Sequence, residues 1–83
     1  MHDRSNPYNK KHEPHGLWFN CYENGNYEYK GLYTNGKMHG SWEWYWANGK
    51  LSSKGTFNMG HTQGFWTWYH ENGKIDETMF YAR

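Results

Sequence analysis

The chain has no valine, one isoleucine and three leucines among its 83 residues, so the branched aliphatics that fill ordinary cores are nearly missing. Such scarcity taken alone reads as disorder. Cysteine occurs once, at Cys21, which excludes an intrachain disulfide framework and fits a reducing compartment; the cytoplasm is the expected location. No apolar run approaches the ~20 residues of a membrane span or the ~7–15 of a signal-peptide core, and membrane association is not expected. Neither sign of charge dominates, since 9 Lys and Arg stand against 8 Asp and Glu for a formal net charge of +1. Nothing in that balance selects a nucleic acid or an acidic surface as partner. The 10 glycines never fall as GxGxxG or GxxxxGK[ST], so they read as turn and strand-pairing residues rather than a phosphate cradle.

What the chain has instead is aromatic side chains: 6 Trp, 8 Tyr and 4 Phe. Aromatic residues bury large areas, and disordered chains generally lack them. With only 35% hydrophobic residues in one domain-sized chain, a thin sheet held by aromatic pairs fits better than a thick two-layer core.

The clearest local signal is Gly40–Lys50, GSWEWYWANGK. Trp42, Trp44 and Trp46 sit two apart and so face one side of a strand. Asn48-Gly49 follows as a two-residue type I′ turn. A shift of 24 residues superimposes this pattern on the chain before and after it: Gly16/Gly40/Gly64, Trp18/Trp42/Trp66, Asn24-Gly25/Asn48-Gly49/Asn72-Gly73 and Tyr33/Phe57/Tyr81. A fixed period means an array of supersecondary units. The expected fold is therefore all-β: an elongated single antiparallel sheet, a meander of consecutive β-hairpins with a 24-residue period. Residues 1–15 read as an N-terminal cap or partial repeat, followed by units 16–39, 40–63 and 64–83.

A two-residue turn at Asn48-Gly49 pairs Trp46 with Leu51, Trp44 with Ser53, Glu43 with Lys54, and Trp42 with Gly55. The same turn upstream pairs Tyr22 with Tyr27 and Trp18 with Gly31. Each of these tryptophans is then expected to cover its cross-strand glycine; Met79 takes the glycine place opposite Trp66. One face gathers most of the rings, Tyr22 and Tyr27 among them. The other is polar, with small apolar clusters at Leu17/Leu32 and Phe65/Phe80.

From Gly16 to Arg83 the pattern G-x-W-x-W-Y-x-x-N-G-K, then aromatic-x-N-G-K-x-H-G, resembles the MORN repeat, especially its bacterial variant, some members of which are described as antitoxins. The first unit departs with Asn20-Cys21, and the second with Met59-Gly60-His61 and Gln63. The resemblance implies a sheet used for protein contacts, sometimes for membranes, and often for self-association. It implies no activity.

No residue constellation argues for catalysis. Cys21 stands where Tyr45 and Tyr69 stand in the later units, a packing position rather than a nucleophile with its base. His12 and His15 are closely spaced but lack a Cys pair or HExxH, so no metal is expected. His39 reads as a turn residue bonded to backbone. Glu13, Glu23, Glu28, Glu43, Glu71 and Glu77 fall mostly on turns or the polar face. The expectation is a non-enzymatic protein-interaction module without cofactor, binding and neutralising another protein through Trp42, Trp44, Trp46, Trp66, Trp68, Tyr29, Tyr33 and Phe57. Self-association as a homodimer is expected as well, because nothing else in the chain is available to cover those rings. The alternative reading is sequestration of a nucleotide or another small aromatic molecule between sheets. Single-stranded nucleic acid would want a basic groove beside the rings, and Lys30, Lys50, Lys54 and Lys74 are scattered.

Overall fold

Each Trp-x-Trp stretch extends into a strand, and each Asn-Gly returns it. In the computed structural model, which describes residues 6–81, seven strands result: β1 (Gly16–Cys21), β2 (Tyr27–Thr34), β3 (Lys37–Met38), β4 (Gly40–Tyr45), β5 (Leu51–Asn58), β6 (His61–Tyr69) and β7 (Ile75–Tyr81). They form one open antiparallel sheet in the order β1-β2-β4-β5-β6-β7, with β3 continuing the pairing against β2. The Cα extents of 41 × 37 × 9 Å are those of a single layer. The sheet does not curl over its own rings.

The hairpin interiors have the expected register: Trp42↔Gly55, Glu43↔Lys54 and Trp44↔Ser53 in the second unit, and Trp18↔Gly31 in the first. The tips differ. Gly49 N–H donates to the Trp46 carbonyl at 2.9 Å, and Trp46 N–H donates to the Lys50 carbonyl at 2.8 Å. Of the dipeptide only Gly49 has positive φ, 94°. A type I′ turn would need positive φ at both residues, so this is a type I turn over Ala47-Asn48 closed by a glycine bulge. The same geometry recurs at Gly25 and Gly73. The added residue moves the next pair to Tyr45↔Leu51, with Cys21↔Tyr27 and Tyr69↔Ile75 as its counterparts. A one-residue slip sends side chains to the opposite face. Tyr27 accordingly leaves the tryptophan face and packs against Phe19.

The two-residue turn with two positive φ angles does occur, but between units: Asn35-Gly36 at 47° and 87°, and Met59-Gly60 at 49° and 93°. Each is flanked by a closed pair, Thr34↔Lys37 and Asn58↔His61. His39 Nδ1 accepts the Met59 N–H at 3.0 Å, and His15 Nδ1 accepts the Asn35 N–H at 3.0 Å. The expected backbone-bonding role of His39 is thus realised, and repeated one period earlier.

Ahead of β1, Pro7 and Tyr8 stand where Leu32-Tyr33 and Thr56-Phe57 stand in the later units. The Trp18 indole donates to the Pro7 carbonyl at 2.8 Å and meets the Tyr8 ring edge-on. Asn6 imitates a strand peptide, its side-chain amide donating to the Phe19 carbonyl and accepting the Phe19 N–H. The outer edge of β1 is clasped in this way. The expected cap and third unit reach into residues 1–5 and 82–83, which lie outside the described residues.

Candidate functional site

The tryptophan face is built on glycine. Between the pair Lys30↔Glu43 and the His39 N–H bond to the Leu32 carbonyl at 3.0 Å, Gly40-Ser41-Trp42 bulges opposite the single residue Gly31. The Trp42 ring thereby swings over Gly31, where a Cβ would stand 2.1 Å from ring atom Cδ2. Trp66 lies over Gly55 in the same way, at 2.0 Å. Both tryptophans therefore sit on the glycine of the preceding unit, and the expected seating of Trp18 on Gly31 and Trp42 on Gly55, within one hairpin, does not form. The indole N–H completes the seat, from Trp42 to the Leu32 carbonyl at 2.9 Å and from Trp66 to the Thr56 carbonyl at 3.1 Å. Close backbone approach of this kind is open only to glycine.

Rings then cover rings. An edge-to-face series crosses the sheet from Trp18 through Tyr33, Trp42, Phe57 and Trp66 to Tyr81, with centroids 5.1–6.3 Å apart. A second series, Tyr29–Trp42–Trp44–Trp66–Trp68, runs beside it with planes inclined by 30–34°. Both geometries are favourable for aromatic quadrupoles. Trp42 is 2% exposed and Trp66 5% without any second layer. Glycine seats and crossed rings thus bury the centre of this face within one chain, while the rings around it stay half-buried.

Of the eight residues expected to bind, the structure joins seven by ring contacts. Trp46 stands apart at the hairpin tip, its Nε1 buried without a hydrogen-bond partner. Trp42 and Trp66 are interior supports. Trp44, Trp46, Trp68, Tyr29, Tyr33 and Phe57 are half-buried, each keeping part of its ring at the surface. Burial, then the neighbouring Tyr33 and Glu28, hold the Tyr29 phenol above its ordinary pKa.

The opposite face is less polar than its sequence suggested. The Leu17↔Leu32 and Phe65↔Phe80 pairs form as expected, with Phe65 69% and Phe80 59% exposed. An unbroken row of paired residues crosses all six long strands between them: Phe19, Lys30, Glu43, Lys54, Thr67 and Thr78. Tyr27, brought to this side by the tip bulge, meets Tyr45, already here by alternation with Trp44, at 6.1 Å between centroids. The Lys30 ammonium lies 4.8 Å from the Tyr27 centroid and 6.0 Å from that of Tyr45. Tyr45 Oη donates to Glu43 Oε1 at 2.5 Å; burial and this bond push its pKa well above the usual phenol value. An open trough of about 480 Å³ runs over Leu17, Phe19, Tyr27, Lys30, Leu32 and Glu43. Sequence reasoning did not single out this central row: centring each turn gives its pairs within hairpins, but the links Lys30↔Glu43 and Lys54↔Thr67 depend on the bulges between units. Among the described residues no group of three or more His, Cys, Asp or Glu could hold a metal ion.

A row of hairpins, each seating its tryptophan on the one before, defines a β-hairpin repeat protein. The model of the MORN repeat variant matches residues 14–37, 38–59 and 63–82, and the chain belongs to that family. The match supports a repeat module of a kind that is generally non-catalytic and commonly binds proteins or membranes. Neither the curated proteins nor the solved structures contain a match to the chain.

Proposed function

We propose that the chain is a non-enzymatic interaction module of a reducing compartment, the cytoplasm, which binds and neutralises a partner protein through its tryptophan face. The observation that carries this reading is the state of that face. Trp44, Trp68, Tyr29, Tyr33 and Phe57 are held by ring contacts yet only half-buried. Side chains already fixed lose little entropy on binding, and aromatic anchors dominate protein interfaces. The broad face and the open trough give a small molecule no enclosing walls, whereas small-molecule sites surround most of their ligand.

The test is affinity capture with the whole chain, followed by mass spectrometry and a stoichiometry measurement. One stoichiometric protein partner, lost with Trp44→Leu or Trp68→Leu and kept with Leu17→Ser, is the expected result. A UV-absorbing small molecule released on denaturing fresh protein, with no protein partner, would replace this reading by sequestration of an aromatic ligand.

A further inference from the structure

We propose that the face opposite the tryptophans is a dimer interface, on which a second copy of the chain packs about a two-fold axis parallel to the strands, between β4 and β5. The argument is self-complementarity. The row Phe19–Lys30–Glu43–Lys54–Thr67–Thr78 has its midpoint between Glu43 and Lys54. Rotation about an axis through that midpoint lays Glu43 of each copy over Lys54 of the other. Lys30 then meets Thr67, and Phe19 meets Thr78.

The flanking rows follow the same operation. In one, Leu17 falls over Phe80, Leu32 over Phe65, and Ser41 over Thr56, so the exposed apolar residues at one edge cover those at the other. In the other, Tyr27 meets Tyr69 and Tyr45 meets Leu51. The competing in-plane axis, perpendicular to the strands, would set Lys30, Glu43 and Lys54 each against itself. Like charges brought face to face disfavour that arrangement.

Area and geometry agree. A plate of 41 × 37 Å has an outline of about 1,500 Å², against roughly 800 Å² per partner in a standard interface. A strand-parallel axis keeps the two sets of strands aligned, as sheets packed face to face usually are. A two-fold contact also closes, leaving no open patch to propagate fibres. Back-to-back pairing sends both tryptophan faces outward, and it holds whatever those faces bind.

Sedimentation of the full chain across the micromolar range tests this. Wild type is expected to dimerise. Glu43→Lys and Lys54→Glu should each weaken self-association by at least about tenfold, and mixing the two variants should restore a heterodimer. Phe65→Ser, at a residue the single chain leaves exposed, should weaken the dimer while leaving the far-UV circular dichroism unchanged; it decides the matter if either charge variant fails to fold. A chain monomeric throughout the range overturns the proposal. So does a dimer indifferent to Phe65→Ser and to both charge variants, because the copies would then meet through the tryptophan face or the β7 edge.

Discussion

The two faces of this sheet are both rich in large apolar side chains, and they keep them in opposite states. On one, Trp42 and Trp66 are almost fully buried, although the sheet has a single layer. On the other, Leu17, Phe65 and Phe80 stand in solvent at 57%, 69% and 59% exposure. Hydrophobicity does not separate them. The difference is shape: a flat ring laid over a glycine finds backbone beneath it and ring edges around it, so a face can bury its own centre. Leucine and phenylalanine raised on neighbouring strands touch one another sideways and keep their tops bare.

The sharpest way to break this contrast is to fill a seat. Gly31→Ala and Gly55→Ala place a methyl inside the volume of Trp42 and Trp66. Each should cost at least what removing the ring costs, about 3–5 kcal/mol, because the ring must leave. Chemical denaturation of each variant measures it, and a loss below about 1 kcal/mol would mean the ring has another place to lie.

Next in size is Trp42→Ala, expected to cost about 3–5 kcal/mol in the same assay. A double-mutant cycle sharpens the point. Gly31→Ala and Trp42→Ala should be strongly non-additive, and markedly more so than Gly31→Ala with Trp18→Ala, which are linked only by strand pairing and the Tyr33 ring. The reverse outcome would return Trp18 to Gly31 and reinstate seating within a hairpin.

A smaller effect separates the two Asn-Gly-like turns between units. Asn35 and Met59 hold equivalent left-handed positions, and Asn tolerates that conformation better than an unbranched apolar residue. Met59→Asn should therefore raise stability, by about 0.5–1 kcal/mol, with a corresponding rise in melting temperature. Smallest of all, Leu17→Ser on the exposed face should change unfolding of the isolated chain by no more than about 0.5 kcal/mol, measured at a concentration below any self-association.

Most of the architecture could be read from spacing alone. The 24-residue period placed the hairpins, and Trp42↔Gly55 and Glu43↔Lys54 followed from centring each turn. Two things escaped that logic. Asn-Gly suits both a two-residue turn and a type I turn with a glycine bulge, so the dipeptide could not say where Tyr27, Leu51 and Ile75 would point. What accompanies the bulged form is a contact between units: Asn48 Nδ2 donates to the Glu71 carbonyl at 3.1 Å, as Asn24 Nδ2 does to Ala47 at 2.8 Å. The seating of Trp42 on Gly31 was hidden for a related reason. It depends on the bulge Gly40-Ser41-Trp42, and pairing within a hairpin carries no information about the strand on its other side. The ring-rich site was therefore legible as a composition and a face, but not as supports and exposed edges.

The order of the strands has a kinetic meaning. The substantial strand-to-strand contacts join elements adjacent along the chain, or β2 and β4, which only the two-residue β3 separates, so every loop to be closed is short and its closure entropy small. Sheets usually fold slowly because they must first bring distant segments together. This one can grow by zipping, one hairpin laid on the last, with each tryptophan finding its glycine only once the unit before it has formed. Opening should run the other way. The edge of β1 is clasped by Asn6, while β7 has one neighbour and is exposed along Ile75–Phe80, so amide exchange should be fastest in β7 and slow progressively toward the middle of the sheet.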